Sequence, residues 1–238
     1  FNSGFQRFDA KLSQRLVEIL SYQNKVDNHL VCLPACSFSY GTSYLRKKAR
    51  GFWNQYTAHN IDRFLEMTSA IELYGETNIS RFYLSHKDKS KCRNFIDMMK
   101  QIWDKRDIVI VEGNMTHLGY GNDLFDNAKS IKRILCPNMS AFGKYDLILE
   151  TILSNTNANS LIVIALGMTA TVLAYDLAAQ GRQALDMGHL DIEYEWMRMG
   201  VSEKVAVPGK FTNEATDGKD LYDIYPDEFK KQILVDIS

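Results

Sequence analysis

Between positions 107 and 186 the chain alternates short, unbroken apolar runs with stretches of helical periodicity. The runs Asp107–Glu112, Ile131–Cys136 and Ser160–Leu166 show no polar/apolar alternation, so each reads as a strand buried on both faces. Such strands, joined by stretches long enough for helices, pack as a mostly parallel sheet with right-handed crossovers. The pattern predicts an α/β, Rossmann-like fold flanked by helices. Further strands are expected at Leu30–Leu33, Gln183–Asp186 and Ile233–Ile237. Helices are expected over Asp9–Gln23, Thr42–Thr57, Lys89–Asp104, from Asp123 onward, and over Tyr145–Ser154, Thr169–Gln180 and Ile192–Met199.

The 238 residues suffice for one domain, 1–238, with a sizeable core. The chain opens at Phe1 rather than Met, as expected of a fragment or processed product. Its 28 basic and 29 acidic residues leave a net charge of -1, which excludes an overall basic field for nucleic acid. Cys32, Cys36, Cys92 and Cys136 are too few for a disulfide framework and read as buried, reduced thiols of a cytoplasmic protein. The uncharged stretch from Ser160 to Tyr175 is shorter than the roughly 20 residues a membrane span needs, and Gly167, Thr169 and Thr171 interrupt it. The basic residues Arg46, Lys47, Lys48 and Arg50 beside Phe52, Trp53 and Tyr56 read as a solvated face, with a homo-oligomer interface left open.

Open parallel sheets bind ligands outside the carboxyl ends of their strands, so the residues that follow each strand matter most. After the first run come Glu112, Gly113, Thr116, Gly119, Gly121, Asn122 and Asp123, a loop that is neither a dinucleotide fingerprint nor a P-loop but can cradle a diphosphate or ribose. After Leu166 come Gly167, Thr169, Ala170 and Thr171, whose helix-start N–H groups suit a phosphate; a plain strand-to-helix turn capped by Thr169 explains them equally. After Asp186 come His189, Asp191, Glu193, Glu195 and Trp196. If helical, the segment puts Asp191 and Glu195 on one face; if extended, Asp191 and Glu193 share a side. Oxygen ligands of this kind suit Mg²⁺ or Mn²⁺, and Glu195 can act as a general base, while the alternative is an acidic, solvated helix start over a core Trp196.

Three blocks carry a resemblance: Val111-Glu-Gly-x-x-Thr116-x-x-Gly119-x-Gly-Asn-Asp-Leu-Phe125, Ala165-Leu-Gly-x-Thr-Ala-Thr-Val-Leu-Ala-Tyr-Asp176 and Gly188-His-x-Asp-Ile-Glu-Tyr-Glu-Trp196. Together they resemble the GT-D type glycosyltransferases of bacteria, over most of the chain from about Gly4 to the region of Lys210. The resemblance implies a cytoplasmic enzyme that moves a sugar from a UDP-sugar to a glycan or glycosylated protein in surface-glycan assembly, assisted by Mn²⁺ or Mg²⁺. It implies that the loops at Glu112–Asp123 and Gly167–Thr171 hold the nucleotide and diphosphate. It also implies that His189, Glu195 and Trp196 act in the site and that Asp191 and Glu193 form the family's Asp-x-Glu metal pattern. A Gly-Asp-Gly-Glu stretch of the family would precede Phe1, His117 stands where the pattern has Arg, and Met168 where it has Pro. One base with in-line attack would invert the anomeric centre. The competing reading is a non-catalytic, nucleotide-binding partner subunit of a glycosylation complex.

Overall fold

The computed structural model describes residues 4–38, 40–70, 72–218 and 225–238. Its first half runs α1 (Ala10–Leu20), β1 (Cys32–Leu33), α2 (Lys47–Met67), β2 (Gly75–Glu76) and α3 (Cys92–Lys100). Then follow β3 (Asp107–Gly113), β4 (Ser130–Cys136), α4 (Tyr145–Asn155), β5 (Leu161–Ala165), α5 (Met168–Ala179), β6 (Gln183–Asp186), α6 (Leu190–Met199), α7 (Asp227–Lys230) and β7 (Ile233–Asp236). Five strands form one sheet in the order β6-β5-β3-β4-β7, and every neighbouring pair is parallel. β1 and β2 make a separate two-stranded parallel sheet.

The unbroken apolar runs have a direct cause in this sheet, because both of its faces are covered. Ile108, Ile110, Leu161 and Val163 face a layer containing Ile96 of α3 and Leu190, Ile192 and Trp196 of α6. Val109, Val111, Ile134, Ile162 and Ile164 face Ile148 and Ile152 of α4 and Ala170, Leu173 and Leu177 of α5. α1 lies outside α5, with Leu12, Ile19 and Val172 in a smaller cluster. Asp9 caps α1 as its sequence predicts, accepting from the Leu12 N–H at 2.9 Å.

Three expectations fail. No helix begins at Asp123; residues 114–129 are turns, because Asn122 Oδ1 accepts the Leu124 N–H at 2.9 Å and pins a local turn. The second long helix covers Lys47–Met67 rather than Thr42–Thr57, and none of its 21 residues is buried. Cys32 is exposed, whereas the other three cysteines are buried, and all four are free. No helix among the described residues is long and apolar enough to cross a membrane.

From β3 the chain steps to β4 on one side and then crosses to β5 on the other. The switch point therefore lies between β3 and β5. The residues chosen from the sequence follow β3, β5 and β6 at the carboxyl side of this sheet, the side on which such folds bind ligands.

Candidate active site

The loop leaving β3 is braced from below. Glu112 is 0 % exposed, and its carboxylate pairs with Arg133 of β4 while also accepting the Leu118 N–H at 2.6 Å. Glu112 thus holds the loop's shape. Gly113 and Thr116 form the first turn, with the Thr116 N–H on the Gly113 carbonyl at 2.8 Å. Gly119 has φ +67°, and a Cβ there would stand 2.2 Å from the Phe125 ring, so glycine is required twice over. Gly121 borders open space. His117 packs at a tilt against Phe229, with ring centroids 4.6 Å apart, and is bonded through Nδ1 to the Gly209 carbonyl at 2.8 Å, while its buried Nε2 has no partner among the described residues.

Asn122 and α6 make the densest network. Asn122 Nδ2 donates to Asp191 Oδ1 at 2.7 Å and to Glu195 Oε1 at 2.6 Å. The helix spacing puts these two carboxylates on one face, and Lys210 Nζ stands between them, 2.6 Å from Asp191 and 3.4 Å from Glu195. Arg198, one turn along, approaches Glu195 at 3.2 Å. Asp123 turns to Lys100 (2.8 Å) and the Tyr194 hydroxyl (2.7 Å); these partners pull its carboxyl down to about 2.

Glu193 points elsewhere. Its Oε2 accepts the N–H groups of Tyr83 (3.0 Å) and Leu84 (2.8 Å), and burial pushes its carboxyl up against those two bonds. The helical face separates it from Asp191, so the Asp-x-Glu pair does not converge on a cation. Among the described residues no group of three or more His, Cys, Asp and Glu is arranged for a metal. The residues present therefore do not fit Mn²⁺ or Mg²⁺ at Asp191 and Glu193, and the space beside Asp191 holds an ammonium group instead. Trp196 is likewise displaced from the expected role. It is fully buried, its Nε1–H donates to the Val205 carbonyl at 2.9 Å, and it serves the core.

At the β5 end, Gly167 takes φ +54° as the cap of α5, and a Cβ there would meet Phe5 at 2.2 Å. Thr169 and Ala170 are both 0 % exposed and pack inward, so Thr169 is not the cap. Thr171 reaches the surface and donates to Asp186 Oδ2 at 2.9 Å, tying the β5 and β6 ends together.

At the β6 end, His189 opens α6. Its Nε2 lies 3.4 Å from Glu214, whose carboxylate is also held by Arg81 (2.7 Å) and Lys204 (2.5 Å). Burial, with Arg81 and Lys204 alongside, pushes the imidazole down to about 4 against the pull of Glu214. Glu214 is driven up by burial, yet Arg81, His189 and Lys204 overcome this and bring it to about 2. His189 is thus neutral at pH 7. An unfolded His binds its proton first as pH falls below about 6.5, so stability falls between pH 6.5 and 4. His189→Asn is expected to flatten that dependence by an amount on the order of 1–2 kcal/mol after discounting for partial exposure. Urea melts of both proteins at pH 7 and 4.5 check this, and equal losses would show that the folded imidazole accepts the proton freely.

Sequence reading missed Arg81, Lys204, Lys210 and Glu214. Each is a single charged residue in a turn or loop without motif or period, and only packing brings them to α6.

A fully parallel five-stranded sheet covered by helices on both faces defines a Rossmann-like α/β domain. The chain belongs to the family described as Glycosyltransferase GT-D fold, whose family model matches residues 1–215. It is 36% identical over 234 residues to the probable glycosyl transferase Gly of Streptococcus gordonii, covering 98% of this chain and 34% of that protein. To glycosyltransferase GlyD of Streptococcus pneumoniae serotype 4 it is 39% identical over 236 residues, covering 98% of this chain and 28% of the relative. The chain therefore spans about a third or less of the length of these relatives. Among solved structures, a glycosyltransferase from Streptococcus sanguinis superposes with a TM-score of 0.90 at 36% identity, covering 100% of this chain and 87% of that one. Another, described as a domain of unknown function with a distinct glycosyltransferase fold, gives 0.89 at 39% identity over 98% and 83%.

Proposed function

We propose that this domain transfers a sugar from a UDP-sugar to a glycan or glycosylated protein in cytoplasmic assembly of bacterial surface glycans. The donor lies across the carboxyl ends of β3, β5 and β6, and Glu195 takes the acceptor's proton. The observation that carries this reading is the convergence of Asn122, Asp191 and Glu195 at the switch point of a sheet belonging to a glycosyltransferase family.

The chemistry asks two things of the chain. The UDP leaving group gathers negative charge as the glycosidic bond breaks, which favours preorganised cations and N–H groups. The acceptor hydroxyl must lose a proton to a nearby carboxylate. Glu195 is partly open to solvent, with its side chain 11 % exposed, and Asn122 and Lys210 fix its orientation. Asp191, at 3 %, is the better buried partner and serves to position Lys210 and Asn122. Attack with a single base predicts inversion at the anomeric carbon.

Calorimetric titration of UDP with Mn²⁺ and again with EDTA, followed by a UDP-sugar turnover screen, tests the proposal. Binding followed by turnover of a donor supports it. Binding equal in EDTA would agree with the absence of a cation site at Asp191 and Glu193. A chain that binds UDP but turns over no donor with any glycan acceptor would overturn it in favour of a non-catalytic subunit.

A further inference from the structure

We propose that Arg81, Lys204 and His189 form a binding site for the donor's diphosphate, and that Glu214 occupies it as an internal stand-in that must leave first. The proposal deepens the UDP-sugar reading and rests on it for the ligand's name; the anion chemistry stands on the residues themselves.

Three groups surround one carboxylate. Arg81 Nη2 is 2.7 Å and Nη1 3.3 Å from its two oxygens, Lys204 Nζ is at 2.5 Å and His189 Nε2 at 3.4 Å. Two permanent cations and an imidazole converge on the Glu214 carboxylate, while the nearby Glu193 carboxylate is taken up by the Tyr83 and Leu84 N–H groups. A diphosphate, with two or more negative charges and several acceptor oxygens, matches this set better than a carboxylate does. The amino end of α6 adds its own partial positive charge beside His189.

Arg81 is built in, whereas Lys204, with its side chain 52 % exposed, and the carboxylate are hung on irregular segments. Arg81 ends the turn Thr77–Arg81, which Glu76 caps through the Asn78 N–H at 2.7 Å. Ser80 of that turn lies against Gly188, where an added Cβ would come within 3.2 Å of the Ser80 hydroxyl. Glu193, buried in α6, clasps the N–H groups of Tyr83 and Leu84 just beyond Arg81. That clasp gives Glu193 a task that metal binding does not: it locks the segment carrying Arg81 onto the helix carrying His189. Glu214, by contrast, sits in residues 212–218, which form neither strand nor helix and close on themselves through the Thr212 N–H and the Gly218 carbonyl at 2.7 Å. The same loop region supplies Lys210 to Asp191 and Glu195, so release of Glu214 by an incoming anion is coupled to the network around the base.

An occupied site binds its ligand more weakly by the fraction of time the stand-in is away. Glu214→Ala and Glu214→Gln are therefore expected to bind inorganic diphosphate about tenfold more tightly than the unmodified chain, and UDP likewise. Arg81→Met in the Glu214→Ala background should cancel the gain. Isothermal titration with inorganic diphosphate reads this without any turnover, and the thermal shift it produces should be larger for Glu214→Ala because two cations are left unpaired until it binds. Affinity unchanged or weakened in both Glu214 variants would overturn the stand-in. Tightening that survives Arg81→Met would overturn the site. Tighter diphosphate binding with no binding of UDP would keep the site and defeat the UDP-sugar reading. Turnover of a UDP-sugar together with a diphosphate affinity indifferent to Glu214 would do the reverse.

Discussion

Replacing Glu112 with Gln is expected to cost about 3–5 kcal/mol of stability, because it strands the Arg133 guanidinium in a site that is 1 % exposed. For a domain of this size that is a fall in melting temperature of roughly 6–20 °C. Arg133 is also held by Gln232 at 2.7 Å and lies over the Phe229 ring at 4.6 Å, so its disturbance reaches α7 and β7. Arg133→Met should cost a similar amount, since it leaves the carboxylate buried without its cation. The double variant Glu112→Met/Arg133→Met removes both charges and should recover most of the loss, short of about 1–3 kcal/mol for the Leu118 N–H left without an acceptor. Thermal and urea melts of the unmodified chain, Glu112→Met, Arg133→Met and the double variant close this cycle. Additive losses in the double variant would mean that the two side chains stabilise the fold separately rather than as a pair.

The same pair shows how far the sequence could be read. The strand from Asp107 was legible because burial on both faces leaves a continuous apolar run, and the residue ending that run, Glu112, looked like a ligand-facing carboxylate. Its partner lies on the next strand, and the register Ile110 to Arg133 that brings it near is a tertiary fact. The α6 segment repeats the lesson at closer range. Periodicity offered Asp191 with Glu195 if helical, and the helix formed; Glu193 then fell on the opposite face, where two backbone N–H groups awaited it. The Asp-x-Glu spacing holds its two carboxylates apart precisely when the backbone is helical, about 100° of rotation per residue. Arg81, Lys204, Lys210 and Glu214 were invisible for a different reason: a lone charge in a loop has no period, and its meaning is set by what packs against it.

Glu195→Gln is expected to lower kcat by about 10²- to 10⁴-fold while leaving UDP affinity within a few-fold of the unmodified chain. The substitution keeps the side chain's size, and the amide oxygen still accepts from Asn122 and Lys210, so the loop and helix should stay in register. What is lost is a group able to take the acceptor's proton. The Arg198 contact also weakens, but that guanidinium is 40 % exposed and spaced i,i+3, so its loss costs little. Asn122→Ala is the companion variant, because it removes the donor that orients Glu195 without removing the base. It should lower kcat less than Glu195→Gln. Turnover of both variants with the donor found in the UDP-sugar screen decides the matter. If Glu195→Gln retains kcat within threefold, the proton goes to another carboxylate, and Asp186, exposed at the end of β6 beside Thr171, becomes the next residue to replace.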